Sequence, residues 1–158
     1  GKIMRYPVFI LVMLFSVLVS AEEDITLFDS YGNATAYIAA DDELTVYMWT
    51  GKPVAYLASD ASGGFHIYGF NGRHLGWLVD GIVRDHQGDS VCAQRESMGS
   101  TDSGSFADLN NPEAEAFKDM KGIKPMKETH EYAPFRPFFS FTWSETPCNL
   151  FFYQGVRD

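Results

Sequence analysis

Between Ile25 and Ala93, apolar and polar positions alternate with a period of two, and glycines at 32, 51, 72 and 88 interrupt the alternation. Aligned on those glycines, the chain repeats itself over 25–38, 44–57, 65–78 and, in a decayed fourth copy, 81–94. Five residues before each glycine stand the aliphatics Leu27, Val46, Ile67 and Val83, and four before stand Phe28, Tyr47, Tyr68 and Arg84. Five residues after come Tyr37, Tyr56, Trp77 and Ala93. Period-two patterning on both sides of a glycine, rich in β-branched and aromatic residues, predicts one β-hairpin per repeat. Gly32, Gly51, Gly72 and Gly88 supply the positive φ of the turns, and Asn71-Gly72 is the strongest turn dipeptide of the four.

A second column predicts how the hairpins assemble. Four residues after each glycine the side chain is small: Ala36, Ala55, Gly76 and Cys92. One small position in every copy implies a crowded place where the hairpins converge, with the neighbouring aromatics fanning outward over the next unit. A lone hairpin is marginal in water, so the copies must bury their faces on one another. The expected fold is mostly β, four hairpins in a pseudo-fourfold closed array, with a short helix and an aromatic C-terminal tail.

The runs Leu27-Phe-Asp-Ser-Tyr-Gly32, Gly51-Lys-Pro-Val-Ala-Tyr-Leu57, Ile67-Tyr-Gly-Phe-Asn-Gly72 and Gly81-Ile-Val-Arg-Asp-His86 resemble the bacterial 4-fold beta flower domain family. The resemblance covers about residues 25–93. It implies four repeated hairpins about a pseudo-fourfold axis, and no reaction.

Residues 1–21 read as a signal peptide: Lys2 and Arg5 precede an almost wholly apolar run from Val8 to Val19, and Val19-Ser20-Ala21 offers a cleavage site. The apolar run is short for a membrane span, so the mature chain is expected to begin near Glu22, with no stable membrane insertion, in the periplasm or outside the cell. Removing that segment takes the formal charge from −9 to −11, which argues against nucleic acid as a partner. The domain plan is then 22–94 for the hairpin repeats, 95–105 for a flexible polar linker, and 106–158 for a short helix and a tail docking on the repeats. Asn111, Pro112, Glu113 and Gly122 are placed as helix start and stop, with Phe117 and Met120 facing the core. From Lys124 to Pro137 three prolines predict extended chain, and Phe138–Trp143 and Leu150–Tyr153 read as two strand-like runs. The fourth repeat, lacking a ring at Ala93, is the expected docking place.

Candidate chemistry is sparse. Cys92 and Cys148 either form a disulfide in an oxidising compartment, or Cys92 is a small buried residue of the convergence column. The histidines 66, 74, 86 and 130 form no metal-ligand pattern, and Asp85-His86 point to opposite faces of a strand, so no catalytic group, metal or cofactor is assigned. Outward-facing rings among Tyr47, Trp49, Tyr68, Phe70 and Trp77 are the candidate ligand-binding residues, for a protein or a carbohydrate. The expected function is an exported, non-catalytic binding or protein-interaction module. Two alternatives accompany it: an envelope hydrolase using Asp or Glu with His74 or His86, and a homo-oligomer assembled through the aromatic tail.

Overall fold

The computed structural model describes residues 24–100 and 117–158; the expected signal segment 1–21 lies outside them. Among the described residues there are eight strands: β1 (Ile25–Phe28), β2 (Ala34–Ala39), β3 (Thr45–Met48), β4 (Pro53–Ser59), β5 (Phe65–Gly69), β6 (His74–Val79), β7 (Ile82–Arg84) and β8 (Ser90–Ala93). Each pairs antiparallel with the next, and Ala93 on β8 returns to Phe28 on β1, closing a barrel. The four sequence repeats are the four hairpins of this barrel.

All four hairpins turn alike. Gly32, Gly51, Gly72 and Gly88 have φ of 83°, 89°, 86° and 86°, and each donates its N–H to the carbonyl three residues back, on Asp29, Met48, Gly69 or Asp85. The register slips by one residue just before every turn, at Leu27/Phe28, Val46/Tyr47, Ile67/Tyr68 and Val83/Arg84. Each connection is therefore a three-residue loop ending in a left-handed glycine bulge, one residue longer than a two-residue Asn-Gly turn.

Leu27, Val46, Ile67 and Val83 pair with Ala36, Ala55, Gly76 and Cys92 and face the barrel interior. Helix α1 (Cys148–Tyr153) packs onto the small column. It touches β2, β4 and β8, and a Cβ on Gly76 of β6 would lie 1.9 Å from the Arg84 carbonyl oxygen of the next strand and 3.1 Å from the Phe151 ring. Phe151 and Phe152 are fully buried in the aliphatic core, and Cys148 is bonded to Cys92 with Cα atoms 5.4 Å apart. The helix is a plug, tied covalently to the fourth hairpin.

Several expectations for the tail are corrected here. Leu150–Tyr153, read as a strand, belongs to α1: a strand would send adjacent Phe151 and Phe152 to opposite faces, whereas both must enter the barrel mouth. Phe138–Trp143 contributes only one bridge, Trp143 beside Ser90. Trp143 packs with Phe28, Ile82 and Ala93, where the fourth repeat has no ring of its own. Of the helix expected over 111–122, residues 111–116 lie outside the described residues and 117–122 are not helical. Phe117 and Met120 face solvent rather than the core, because Asp119 and Gly122 give their N–H groups to the second hairpin instead of to a helix. Residues 95–100, at the head of the expected linker, form a 3-10 helix. The extended chain expected around Lys124–Pro137 is present.

The second turn and the segment crossing it are in direct contact, which two glycine variants separate. A Cβ on Gly51 would lie 1.9 Å from the Met120 carbonyl oxygen, whereas one on Gly63, at φ 99°, meets nothing within 4 Å. Gly63→Ala is expected to cost only the left-handed backbone penalty, about 1–2 kcal/mol. Gly51→Ala is expected to cost roughly 1–3 kcal/mol beyond that, for displacing the crossing segment. Urea unfolding of both variants checks this; equal losses would mean that residues 119–122 do not press on the turn.

Candidate functional site

The candidate rings lie outside the barrel, on the face opposite the aliphatic interior, yet Tyr47, Tyr68, Phe70 and Trp77 are buried and Trp49 is half-buried. The column after each glycine meets the column before the next one across each seam between hairpins. Tyr37 stacks on Tyr47 at 5.6 Å and Tyr56 on Tyr68 at 6.0 Å between ring centres. Trp77 sits opposite Arg84, and Ala93 opposite Phe28. Four seams thus carry four outward pairs, and something must cover them.

The cover is residues 117–144, which wrap the outside of the barrel with a three-residue periodicity, that of a polyproline II strand. One face is cationic and points inward. Lys118 lies 4.1 Å from the Tyr37 ring centre, Lys121 5.6 Å from Tyr47 and Lys127 4.2 Å from Tyr56, while His130 packs on Tyr68 at 4.3 Å. Cations of this face also reach carboxylates that precede the odd strands: Lys118 with Asp24, Lys124 with Asp42, and Arg136 with Asp60. At the third seam the roles reverse. The barrel supplies Arg84, and the wrapping segment supplies the Phe139 ring, 4.8 Å away.

A second face supplies the backbone bonds. Asp119 and Gly122 donate N–H to Trp49 and Gly51, Glu128 and Glu131 to Phe70 and Gly72, and Ser140 to Gly88. Gly122, Glu131 and Ser140 lie nine residues apart and repeat one bond at three successive turns. Pro125, Pro134 and Pro137 lie on this face between or beside the donors, where the absent N–H is not needed. Lys118, Lys127 and Arg136 share the nine-residue spacing on the cationic face.

The third face is apolar and, among the described residues, has no partner. Phe117, Met120, Ile123, Met126, Tyr132, Phe135, Phe138 and Phe141 fall on one three-residue series interrupted by Thr129, and they are 72–101 % exposed. At ~150–200 Å² per side chain they display roughly 1,200 Å² of apolar surface, about twice the largest patch usual on a monomer. This ridge is the candidate site. Its signal in the sequence has a period of 3, which is neither the 2 of a strand nor the 3.6 of a helix, and so it is absent from the candidate residues read from the sequence.

Three of the four histidines come together across the third seam, His66 and His74 from the third hairpin and His86 from the turn of the fourth. His66 Nδ1 lies 3.1 Å from His74 Nε2, and His74 Nδ1 lies 3.0 Å from His86 Nε2. His74 is buried, with Trp77 at 4.9 Å and its backbone N–H bonded to Glu131. Both its ring nitrogens are engaged by other imidazoles. One tautomer set satisfies the row: His86 donates to His74, His74 to His66, and His66 faces Asp60 at 3.6 Å. Burial first, then the neighbouring histidines, lowers the His74 pKa to about 4. Asp85 is engaged elsewhere, accepting the N–H groups of Gln87 and Asp89 to close its own turn. Among the described residues, no cluster of three or more His, Cys, Asp or Glu has metal-holding geometry, and no helix is long and apolar enough to cross a membrane.

The chain belongs to the 4-fold beta flower protein family, whose model matches residues 25–152 and so takes in the wrapping segment and most of α1 as well as the barrel. Neither a curated protein nor a solved structure matches it.

The histidine row makes stability depend on pH. Above about 6.5 His74 is neutral in both the folded and the unfolded chain. As pH falls below that, the unfolded chain takes up a proton that the folded chain refuses until about 4. Stability should therefore decline between pH 6.5 and 4, by roughly 3 kcal/mol at ~1.4 kcal/mol per unit. Asp42 is held below 3.8 chiefly by Lys124 and then Tyr47. Burial pushes Asp60 up, but Ser62, Arg136 and His66 outweigh it and hold it below 3.8 too. Both contribute mainly beneath this window. Urea unfolding at pH 7, 5.5 and 4.5 checks the slope, which His74→Leu should largely remove.

Proposed function

We propose that this chain is an exported, non-catalytic protein-interaction module whose binding surface is the ridge on residues 117–141. The observation that carries the reading is the three-residue series of eight exposed apolar side chains, held on a frame that uses both other faces for its own attachment. A soluble protein gains nothing from displaying such a line unless another surface covers it. The rings expected to bind ligand are buried beneath the cationic face, so recognition moves from the barrel wall to the segment around it. The engagement of His74 by two imidazoles, and of Asp85 by its own turn, favours binding over hydrolysis.

Export rests on the basic and apolar run of residues 1–21 and gains support from the Cys92–Cys148 bridge, since such bonds persist in oxidising compartments. N-terminal sequencing of the protein recovered outside the cytoplasm should begin near Glu22. A photoreactive phenylalanine analogue placed at Phe135 or Phe138 in living cells should yield a discrete protein adduct, while the same group at buried Phe70 should not. No adduct from any ridge position would refute the interaction reading.

A further inference from the structure

The ridge falls into two arcs that differ in composition. Before Thr129 come Phe117, Met120, Ile123 and Met126, and after it come Tyr132, Phe135, Phe138 and Phe141. The first arc crosses the turn at Gly51. The second runs on past the turn at Gly72 to the turn at Gly88. They lie over successive hairpins of a convex barrel, so within one chain they cannot cover each other.

The first arc borders a groove of about 430 Å³, lined by Met120, Ile123, Pro53, Lys52, Lys124 and Arg157 among others. That volume is in the range of a ligand-sized pocket. Its lining suits aromatic rings: methionine, proline and aliphatic side chains pack against them, while Lys124 and Arg157 at its edge are held by Asp42 and Glu128. The second arc presents just such a row, with Tyr132, Phe135 and Phe138 wholly exposed. The area fits as well, because four large side chains in each arc amount to roughly 600–700 Å², near the ~800 Å² per partner of a standard protein interface. A lipid surface fits less well. The cations of the segment are turned inward onto the barrel's carboxylates and rings, and the chain as a whole carries −9.

We infer that the partner covering the ridge is a second copy of this chain, the aromatic arc of one copy seating in the groove beside the methionine arc of the next. The inference rests on the interaction reading above and adds its occupant. The contact is heterologous, since each copy offers two different surfaces, so it generates rings or open arrays rather than closed twofold dimers.

Light scattering of the purified protein across a concentration series, with two double variants, tests this. Phe135→Ser/Phe138→Ser disables the aromatic arc and Met120→Ser/Ile123→Ser the groove; all four side chains are at least 92 % exposed, so the fold should survive, as circular dichroism will show. The parent protein should rise above single-chain mass with concentration. Each double variant alone should need roughly 100-fold more protein to associate. An equimolar mixture of the two should form a two-chain species and nothing larger, because only one intact pair of surfaces remains. A parent protein that stays single-chain at every soluble concentration, or a variant mixture that stays single-chain, overturns the inference. A single-chain parent that still gives a photo-adduct with a different protein would overturn self-docking while leaving the interaction reading in place.

Discussion

A cation set over an aromatic ring, repeated from seam to seam, is the contact on which the outer half of this structure depends. Closing eight strands into a barrel leaves large side chains outside every seam, a pair at the first three and Phe28 opposite Ala93 at the fourth, and these need shelter from water. Lys118, Lys121 and Lys127 cover theirs with aliphatic stems and place the ammonium group near the ring. Each such contact is worth only about 0.5–2 kcal/mol, and none decides the path of the segment alone. The path is set by register. Slipping the segment by one residue would lift every cation off its ring, and every N–H away from its turn carbonyl, in a single step.

The departures from fourfold symmetry follow the same logic. At the third seam the barrel column changes from an aromatic to Arg84, and the segment answers with Phe139 on its otherwise cationic face. The charge and the ring exchange places and the contact survives. Arg84 is buried, its pKa lowered mainly by that burial, and it also donates to Gly88, Ser90 and Ser140. At the fourth seam Ala93 leaves a space, and Trp143 arrives from the segment to fill it. The chain then turns into the barrel mouth at Cys148, where the small column admits α1 and Cys92 supplies the covalent anchor.

The barrel was legible because its signals are local and of the expected period: Gly51 and Gly72 mark turns, Leu27 and Ile67 mark the inner face, and Ala36 and Ala55 mark where something must fit. What fits there was not legible. Phe151 and Phe152 look the same in a strand or a helix when only four to six residues are available to judge, and the outcome was decided by the shape of the barrel mouth, a tertiary property. The histidine row was hidden for a related reason. His66, His74 and His86 are separated in sequence by eight and twelve residues, and only the pairing of neighbouring strands sets their rings side by side. The ridge is different again, because Phe117 to Phe141 announce it plainly once a period of three is sought.

A strand with three faces that wraps a barrel must spend one face on side-chain contact and one on backbone bonds, and the third is left facing solvent by geometry alone. Geometry does not dictate what occupies it. Serine, lysine or glutamate at positions 120, 123, 126, 135 and 138 would leave every contact with the barrel intact and would keep the surface soluble. Those positions carry Met, Ile, Met, Phe and Phe instead, nearly fully exposed, and the one polar member of the series, Thr129, divides them into a methionine-bearing arc and an aromatic arc. An apolar choice at positions free of any folding requirement is a statement about what the folded molecule touches, and that is why function is assigned to this face rather than to the rings beneath it.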